Sequence, residues 1–319
     1  MSRYLAIDLG GTKTAVCVGT ADGTLIAHGR MPTDADAPPE GWLNRLSALV
    51  QEVAGQAGCA VADLESVGLA VPGPMSVKQG MVLEPPNMPA WRNVPIRDWV
   101  AELTRLPVHI NNDANAAGLA EYSFGEFKGT PDLVYLTMST GVGGGIISGG
   151  QLIQGANDLG GEVGHIVLNP DGPPCPCGQR GCFEMYCGGR NVIHQVRGRL
   201  APGAASLILE ESGGSADGIT ISAIARAAGR GDALAQEFWD AYVERLAQGI
   251  GLLAMCVNPS VVVLGTVAIH LGDVLLKPLR ERLSRYAWRP AIASLTIRPS
   301  ALGPQIGELG ALAVALPRG

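Results

Sequence analysis

Charge is scarce in this sequence. Only 16% of its 319 residues are Asp, Glu, Lys or Arg, against roughly 25% in ordinary soluble domains. The 23 basic residues are outnumbered by 29 acidic ones, for a net charge of −6. That leaves no basic stripe for a polyanion, and nucleic acid is excluded as a partner. Long apolar runs are missing too. A membrane span needs about 18 consecutive apolar residues, and the most apolar stretch, Gly249 to Leu264, is broken by Asn258 and Pro259. Asp8 interrupts the N-terminus before the apolar region of a signal peptide could form. The seven cysteines are too few and too uneven for a secreted disulfide framework. A cytoplasmic chain with no membrane partner is expected. Gly and Pro, at 44 and 22 residues, stay below the roughly 25–30% that signals disorder.

The length exceeds the ~250–300 residues at which one core stops growing, and the 47% apolar content suffices for two. Tyr4 to Asp8 is an apolar strand ending in an acid, followed by Gly10-Gly11, a second strand at Thr14 to Val18, an Asp22-Gly23 turn and a third strand from Leu25 to His28. Leu43, Leu46, Leu49, Val50 and Val53 give helical spacing over Gly41 to Ala57. Strands at Val67 to Val71 and Val108 to Ile110 flank a helix over Val94 to Leu103. After a helix at Ala114 to Glu121 the pattern restarts: a strand at Leu133 to Met138, then a glycine-rich turn, then a hairpin around Gly149-Gly150. Gly160 to Cys187 reads as loop. Helices over Ile221 to Ala228, Ala233 to Met255 and Val274 to Tyr286 alternate with strands at Ser260 to Leu264 and Leu295 to Arg298, and Ile306 to Leu316 closes the chain as a helix. Each half is a hairpin followed by alternating helix and strand.

Four constellations carry chemistry. In Asp8-Leu9-Gly10-Gly11-Thr12-Lys13, two glycines after a strand let backbone N–H groups approach a phosphate, and the acid suits a water-mediated magnesium ion; a plain tight turn would look the same. It is neither a Walker loop nor a dinucleotide fingerprint, since a strand rather than a helix follows. Ser139-Thr140-Gly141-Val142-Gly143-Gly144-Gly145 occupies the equivalent place in the second half. Asn111-Asn112-Asp113-Ala114-Asn115 puts a carboxylate where a strand becomes a helix; it reads either as a helix cap or as a general base for an attacking hydroxyl. Finally, Cys175, Cys177 and Cys182 with His165 have the spacing of a closed Cys3His zinc site, structural rather than Lewis-acidic. Glu162 and Glu184 flank that site and, with the second ring nitrogen of His165, would offer hydrogen bonds to a polyol.

These motifs, Asp-x-Gly-Gly-Thr-Lys, Asn-Asp-Ala-Asn-Ala-Ala, Thr-Gly-x-Gly-Gly-Gly, Gly-Glu-x-Gly-His and Cys-x-Cys-Gly-x-x-Gly-Cys-x-Glu, occur here in one order, and that order resembles the ROK-family sugar kinases, the group of glucokinases, fructokinases and N-acetylmannosamine kinases. The resemblance runs from Tyr4 to the last helix. It implies an α/β architecture of two RNase-H-like domains of the actin/hexokinase ATPase type flanking a cleft. The first domain would take residues 1–112 and 303–319, and the second 113–302 with its zinc loop at 160–187. It implies ATP-dependent phosphorylation of a hexose 6-hydroxyl, glucose foremost. N-acetylmannosamine, fructose or allose kinases, and a catalytically silent sugar binder, are the alternatives. It assigns Asp113 as catalytic base and Gly73, Asn87, Asn112, Glu162, His165 and Glu184 to the sugar. ATP and Mg2+ fall to Asp8, Gly10, Gly11, Thr12, Lys13, Thr140, Gly141, Gly143, Gly144 and Gly265, and a homodimer or tetramer is implied. Two positions depart from the family pattern: Ser139 replaces a glycine before Thr140-Gly141, and Thr266 replaces the second of two glycines after Val261 to Leu264. A DNA-binding ROK regulator is disfavoured, since the first strand starts within five residues of Met1 and no basic segment is present.

Overall fold

The computed structural model describes residues 2–200 and 206–317. In chain order the main elements are β1 (Arg3–Leu9), β2 (Lys13–Thr20), β3 (Leu25–Pro32), α1 (Pro39–Gln56), β4 (Val67–Val71), β5 (Met75–Ser76), β6 (Met81–Val82), α2 (Ile96–Thr104), β7 (Val108–Asn112) and α3 (Asp113–Phe124). They continue as β8 (Leu133–Met138), β9 (Val142–Ser148), β10 (Gln151–Leu152), α4 (Phe183–Cys187), α5 (Gly189–Arg199), α6 (Leu207–Glu211), α7 (Ile221–Gly229) and α8 (Ala233–Val257). The last are β11 (Val261–Leu264), α9 (Val267–Leu271), α10 (Asp273–Leu283), α11 (Arg289–Ile292), β12 (Thr296–Pro299) and α12 (Ile306–Ala315). The two five-stranded sheets run β3-β2-β1-β4-β7 and β10-β9-β8-β11-β12. Each has an antiparallel hairpin edge and parallel inner strands, so the repeated pattern in the sequence is a repeated topology of the RNase-H-like, actin/hexokinase ATPase type.

The chain divides into two compact units, residues 1–130, 145–161 and 304–319 forming one and residues 131–144 and 162–303 the other. The last helix, α12, groups with the first unit. The expected division at 112/113 is displaced, because α3 stays with the first unit: a Cβ on Gly310 of α12 would lie 2.9 Å from the Ala116 carbonyl carbon, and one on Gly118 would lie 3.0 Å from Gly145 Cα. Small residues let α12, α3 and the end of β9 approach backbone to backbone.

In the first unit β1 is buried on both faces, which its unbroken apolar run Leu5-Ala6-Ile7 requires. Trp42, Leu46, Leu49, Val50 and Val53 of α1 are buried on the sheet, and Trp42 donates its indole N–H to Thr14 Oγ1 at 2.8 Å. Leu43, placed on this face by its spacing, is only half-buried, and the larger Trp42 takes the inner position. On the opposite face α12 sits so close to β4 that a Cβ on Gly68 would fall 1.9 Å from the Ala311 carbonyl oxygen.

In the second unit the 25-residue α8 is the organising helix. Asp232 caps it, accepting from Ala235 N at 2.9 Å, and Asn258 in the left-handed region ends it. Gly249 leaves room for Phe183, whose ring would come within 2.5 Å of a Cβ there. Phe183 is fully buried and so anchors the end of the cysteine-rich segment on α8. That segment, expected to be loop throughout, carries the helix α4 at its end, and α5 follows where no periodicity announced it. Among the described residues no helix is long and apolar enough to cross a membrane.

Candidate active site

Within the first unit, the carboxylates at residues 8 and 113 stand at the ends of β1 and β7, both parallel neighbours of β4. Asn112 ends β7 and caps α3: its side-chain oxygen accepts from Ala114 N at 2.9 Å and from Asn115 N at 3.4 Å. With the capping done by Asn112, Asp113 begins the helix exposed, one carboxylate oxygen accepting from Ala114 N at 2.8 Å. The cap and the candidate base are therefore two residues, not one. Behind them Asn111 donates to Gln154 Oε1 at 3.0 Å and Asn115 to the Gly160 carbonyl at 3.3 Å, fixing the corner from the segment that leads to Glu162. Gln154 was not signalled by the sequence, lying 43 residues from its partner.

Asp8 lies in a dense electrostatic neighbourhood. Burial pushes its carboxyl up to about 6, the negative charges of Asp113 and Glu308 push the same way, and Lys13 and Arg30 oppose them. Glu308, 5% exposed, accepts from Arg30 at 2.9 Å. A Cβ on Gly307 would meet Asp8 Oδ2 at 2.3 Å, so any side chain there would have to displace the Asp8 carboxylate. Neither Glu308 nor Arg30 carried a motif, and only the fold brings residues 30 and 308 to residue 8. An acid destabilised as an anion by two other acids suits a bound cation, and the donor set fits a hard ion such as magnesium. The neighbouring turn is tight, Gly10 N donating to the Lys13 carbonyl at 3.0 Å. Gly11 lies against Asn87, whose carbonyl oxygen would be 3.6 Å from a Cβ there. Thr12, Lys13 and Asn87 are exposed and Gly73 half-exposed.

The second unit holds the other half of the expected residues. The ligand atoms of His165, Cys175, Cys177 and Cys182 all lie within 4.8 Å of one another. Cys175 Sγ is 3.7 Å from His165 Nδ1 and Cys177 Sγ 3.6 Å from Cys182 Sγ, close to the roughly 3.3–3.8 Å edge of a tetrahedron with zinc–ligand bonds of ~2.0–2.3 Å. These residues fit a zinc ion, with Nδ1 of His165 turned to the cysteines and its Nε2 outside the cluster. Glu162 and Glu184 share this neighbourhood: burial raises the Glu162 carboxyl, Glu184 raises it further, and His165 lowers it.

This array is tied to the second glycine-rich turn. Glu184 Oε2 accepts from Val142 N at 3.0 Å, a Cβ on Gly141 would meet that same oxygen at 2.3 Å, and one on Gly164 would meet the Val142 carbonyl at 2.1 Å. Gly143 and Gly144, expected in the turn, lie inside β9, and Gly145 serves packing: its Cβ would meet the Ala114 carbonyl at 2.9 Å. The turn proper is Ser139-Thr140-Gly141, closed by Ser139 N on the Gly141 carbonyl at 3.0 Å and joined to α5 through Arg190 N on the Thr140 carbonyl at 3.1 Å.

Thr140 also lines a cavity of about 490 Å³ with Ser139, Arg190, Ser222, Thr266 and His270, of a size that takes a small ligand. Gly265 is not in its lining; that glycine meets Tyr135, whose Oη would be 2.4 Å from a Cβ. Apart from Thr140 and the departures Ser139 and Thr266, sequence reasoning did not signal the lining, which comes from α5, α7 and α9 with no motif in common.

The sequence profile of the ROK family matches residues 4–318. The glucokinase of Thermotoga maritima is 31% identical over 99% of this chain and 98% of its own length. The N-acetylmannosamine kinase of Escherichia coli is 39% identical over 66% of this chain and 69% of its own. Among solved structures, a ROK family glucokinase from Streptomyces griseus in complex with glucose and AMPPNP matches with a TM-score of 0.79 and 33% identity, over 98% of this chain and 99% of that one.

Proposed function

The chain belongs to the ROK family, and from that premise we propose that it is an ATP-dependent sugar kinase that phosphorylates the 6-hydroxyl of a hexose, with glucose as its substrate. What carries this is the corner at Asn112 and Asp113, where a capped helix presents an exposed carboxylate. As O6 of the sugar attacks the γ-phosphorus, Asp113 takes the hydroxyl proton, the O6–P bond forms, the bond to the β-phosphate oxygen breaks, and ADP leaves. Glucose is favoured because the glucokinase of Thermotoga maritima and the glucose-bound Streptomyces griseus glucokinase both match almost end to end.

Sugar binding is assigned to Asn112, through the amide N–H groups its capping oxygen leaves available, and to Glu162, His165 Nε2 and Glu184, with Gly73 and Asn87 assisting. Glu184 is committed through one oxygen to Val142 N and offers the other. His165, Cys175, Cys177 and Cys182 would hold a zinc ion that keeps this array rigid. Asp8 would hold magnesium, which supplies charge neutralisation for the transferring phosphoryl. Gly10, Gly11, Thr12, Lys13, Thr140, Gly141, Gly143 and Gly144 are assigned to the phosphates, and the cavity at Thr140 and Arg190, near Gly265, to the nucleoside. A cytoplasmic homo-oligomer without nucleic-acid or membrane partners goes with the family resemblance.

The test is ADP release, coupled to an indicator reaction, from zinc-loaded protein with Mg-ATP and glucose, mannose, fructose, allose or N-acetylmannosamine. Glucose is expected to exceed the others at least tenfold in kcat/KM. Preference for N-acetylmannosamine would support a second reading, favoured by the 39% identity to the Escherichia coli enzyme. No turnover with any sugar would overturn both and leave a sugar-binding protein without catalysis.

A further inference from the structure

Among the described residues five non-glycines have positive φ: Asn93, Arg105, Asp158, Asn258 and Thr266. Asn and Asp tolerate the left-handed region, and Arg105 and Asn258 end helices in it. Thr266 differs on each count. It is β-branched, the residue type that region suits least, and with φ 40° and ψ −90° it lies outside the left-handed helical well altogether. Its side chain does not account for this: it makes no capping hydrogen bond to α9, is exposed rather than packed, and among the described residues lies within hydrogen-bonding distance of the Thr137 hydroxyl, at 3.5 Å. The conformation lets the chain turn from β11 into α9 within two residues, which a glycine would do without strain; a β-branched residue kept there, at the lining of a cavity, points to the cavity.

The rest of that cavity has the character of a polar ligand site. Ser139, Thr140 and Ser222 bring hydroxyls, Arg190 a cation and His270 an imidazole, over an apolar floor that includes Ile193. The lining includes the Thr140 turn assigned to phosphate, and Thr266, at the start of α9, follows β11, the parallel neighbour of the strand β8 that leads into that turn. We infer that the Thr266 hydroxyl is a direct hydrogen-bonding contact to the nucleoside of the phosphoryl donor, and that the strained backbone is retained because it presents this hydroxyl. This rests on the cavity being the donor's nucleoside site, so the test includes a variant that probes the cavity independently.

ADP binding by calorimetry, the KM for ATP at saturating sugar, and Tm are measured on zinc-loaded protein. Thr266→Val keeps shape and strain but loses the hydroxyl; it should raise the ADP Kd and the ATP KM at least fivefold, with Tm within about 1 °C of the parent. Thr266→Gly should lose the same affinity while Tm rises by a few degrees, because the strain is released. Thr266→Ser should restore parental affinity. The KM for the sugar should not move in any of the three. Parental ADP affinity in Thr266→Val would overturn the inference, as would tighter binding in Thr266→Gly, which would make the side chain an obstruction. Ile193→Trp, which fills the cavity, separates the two levels. If it abolishes ADP binding while Thr266→Val binds normally, Thr266 alone was misassigned; if it leaves ADP binding intact, the cavity assignment falls and the inference with it.

Discussion

The two chemical regions of this protein are held in place by different means. In the second unit the array of Glu162, His165 and Glu184 is fixed by local geometry: four candidate ligand atoms converge within 4.8 Å, Glu184 is tied to Val142 N at 3.0 Å, and His165 offsets the repulsion between the two glutamates. In the first unit the corner of Asp8 and Asp113 is held against repulsion, with Glu308 adding a third negative charge and burial raising the Asp8 carboxyl to about 6. One region would become rigid with a metal bound. The other stores unfavourable charge that a cation would relieve. A sugar kinase needs both, an array that reads hydroxyls the same way each turnover and an acidic corner that becomes favourable only when the metal-bound donor arrives.

That contrast can be broken at three places. The largest effect should come from Asp113→Asn, which keeps the shape of the corner and removes the base. The expected loss in kcat is about 10²–10⁴-fold, the range of general-base catalysis, with sugar binding by calorimetry within about twofold of the parent. Loss of sugar binding instead would make Asp113 a ligand, not a base. Next is Cys177→Ala, whose side chain reaches the cluster from an exposed position. Zinc content should fall from one per chain to none by elemental analysis, and the KM for the sugar should rise about 10–100-fold, the scale on which disturbed metal shells act. Unchanged zinc and unchanged KM would mean that the array does not need its metal.

The smallest effect, and the one with inverted sign, is on stability. A carboxyl whose folded pKa is about 6, above its unfolded value, binds its proton more tightly when folded. Its ionisation therefore costs stability fully above pH 6 and nothing below about pH 4. Asp8→Asn should accordingly be more stable than the parent in metal-free buffer at pH 7.5, by about 2 kcal/mol at ~1.4 kcal/mol per pKa unit after an allowance for residual solvation. The gain should shrink as pH falls from 6 to 4, while activity is lost at every pH. A variant less stable than the parent at pH 7.5 would show that the corner is not repulsive.

The same contrast explains what could be read from the sequence. The metal array is local: Cys175, Cys177 and Cys182 lie within eight residues and His165 is ten before them, so spacing alone exposes it. The repeated topology was equally legible, because strand runs such as Leu5 to Ile7 and Val261 to Leu264 are buried on both faces and carry no polar interruption. The acidic corner was legible only in part. Asp8 and Asp113 each end a strand, but Arg30 and Glu308 are separated by 278 positions and only the placement of α12 against β1 brings them together. The grouping of α3 with α12 was hidden for a related reason: it comes through contacts between small residues, Gly310 on Ala116 and Gly118 on Gly145, and small residues leave no periodic apolar signal. The cavity at Thr266 was least visible, since its walls share no motif.

The most direct measurement is glucose-dependent ADP formation from Mg-ATP by zinc-loaded protein, run beside Asp113→Asn under the same conditions. Turnover that requires glucose is expected in the parent and a rate at least a hundredfold lower in the variant, with glucose binding retained. ADP formation that ignores glucose, or an Asp113→Asn variant that turns over at the parental rate, would contradict the proposed function.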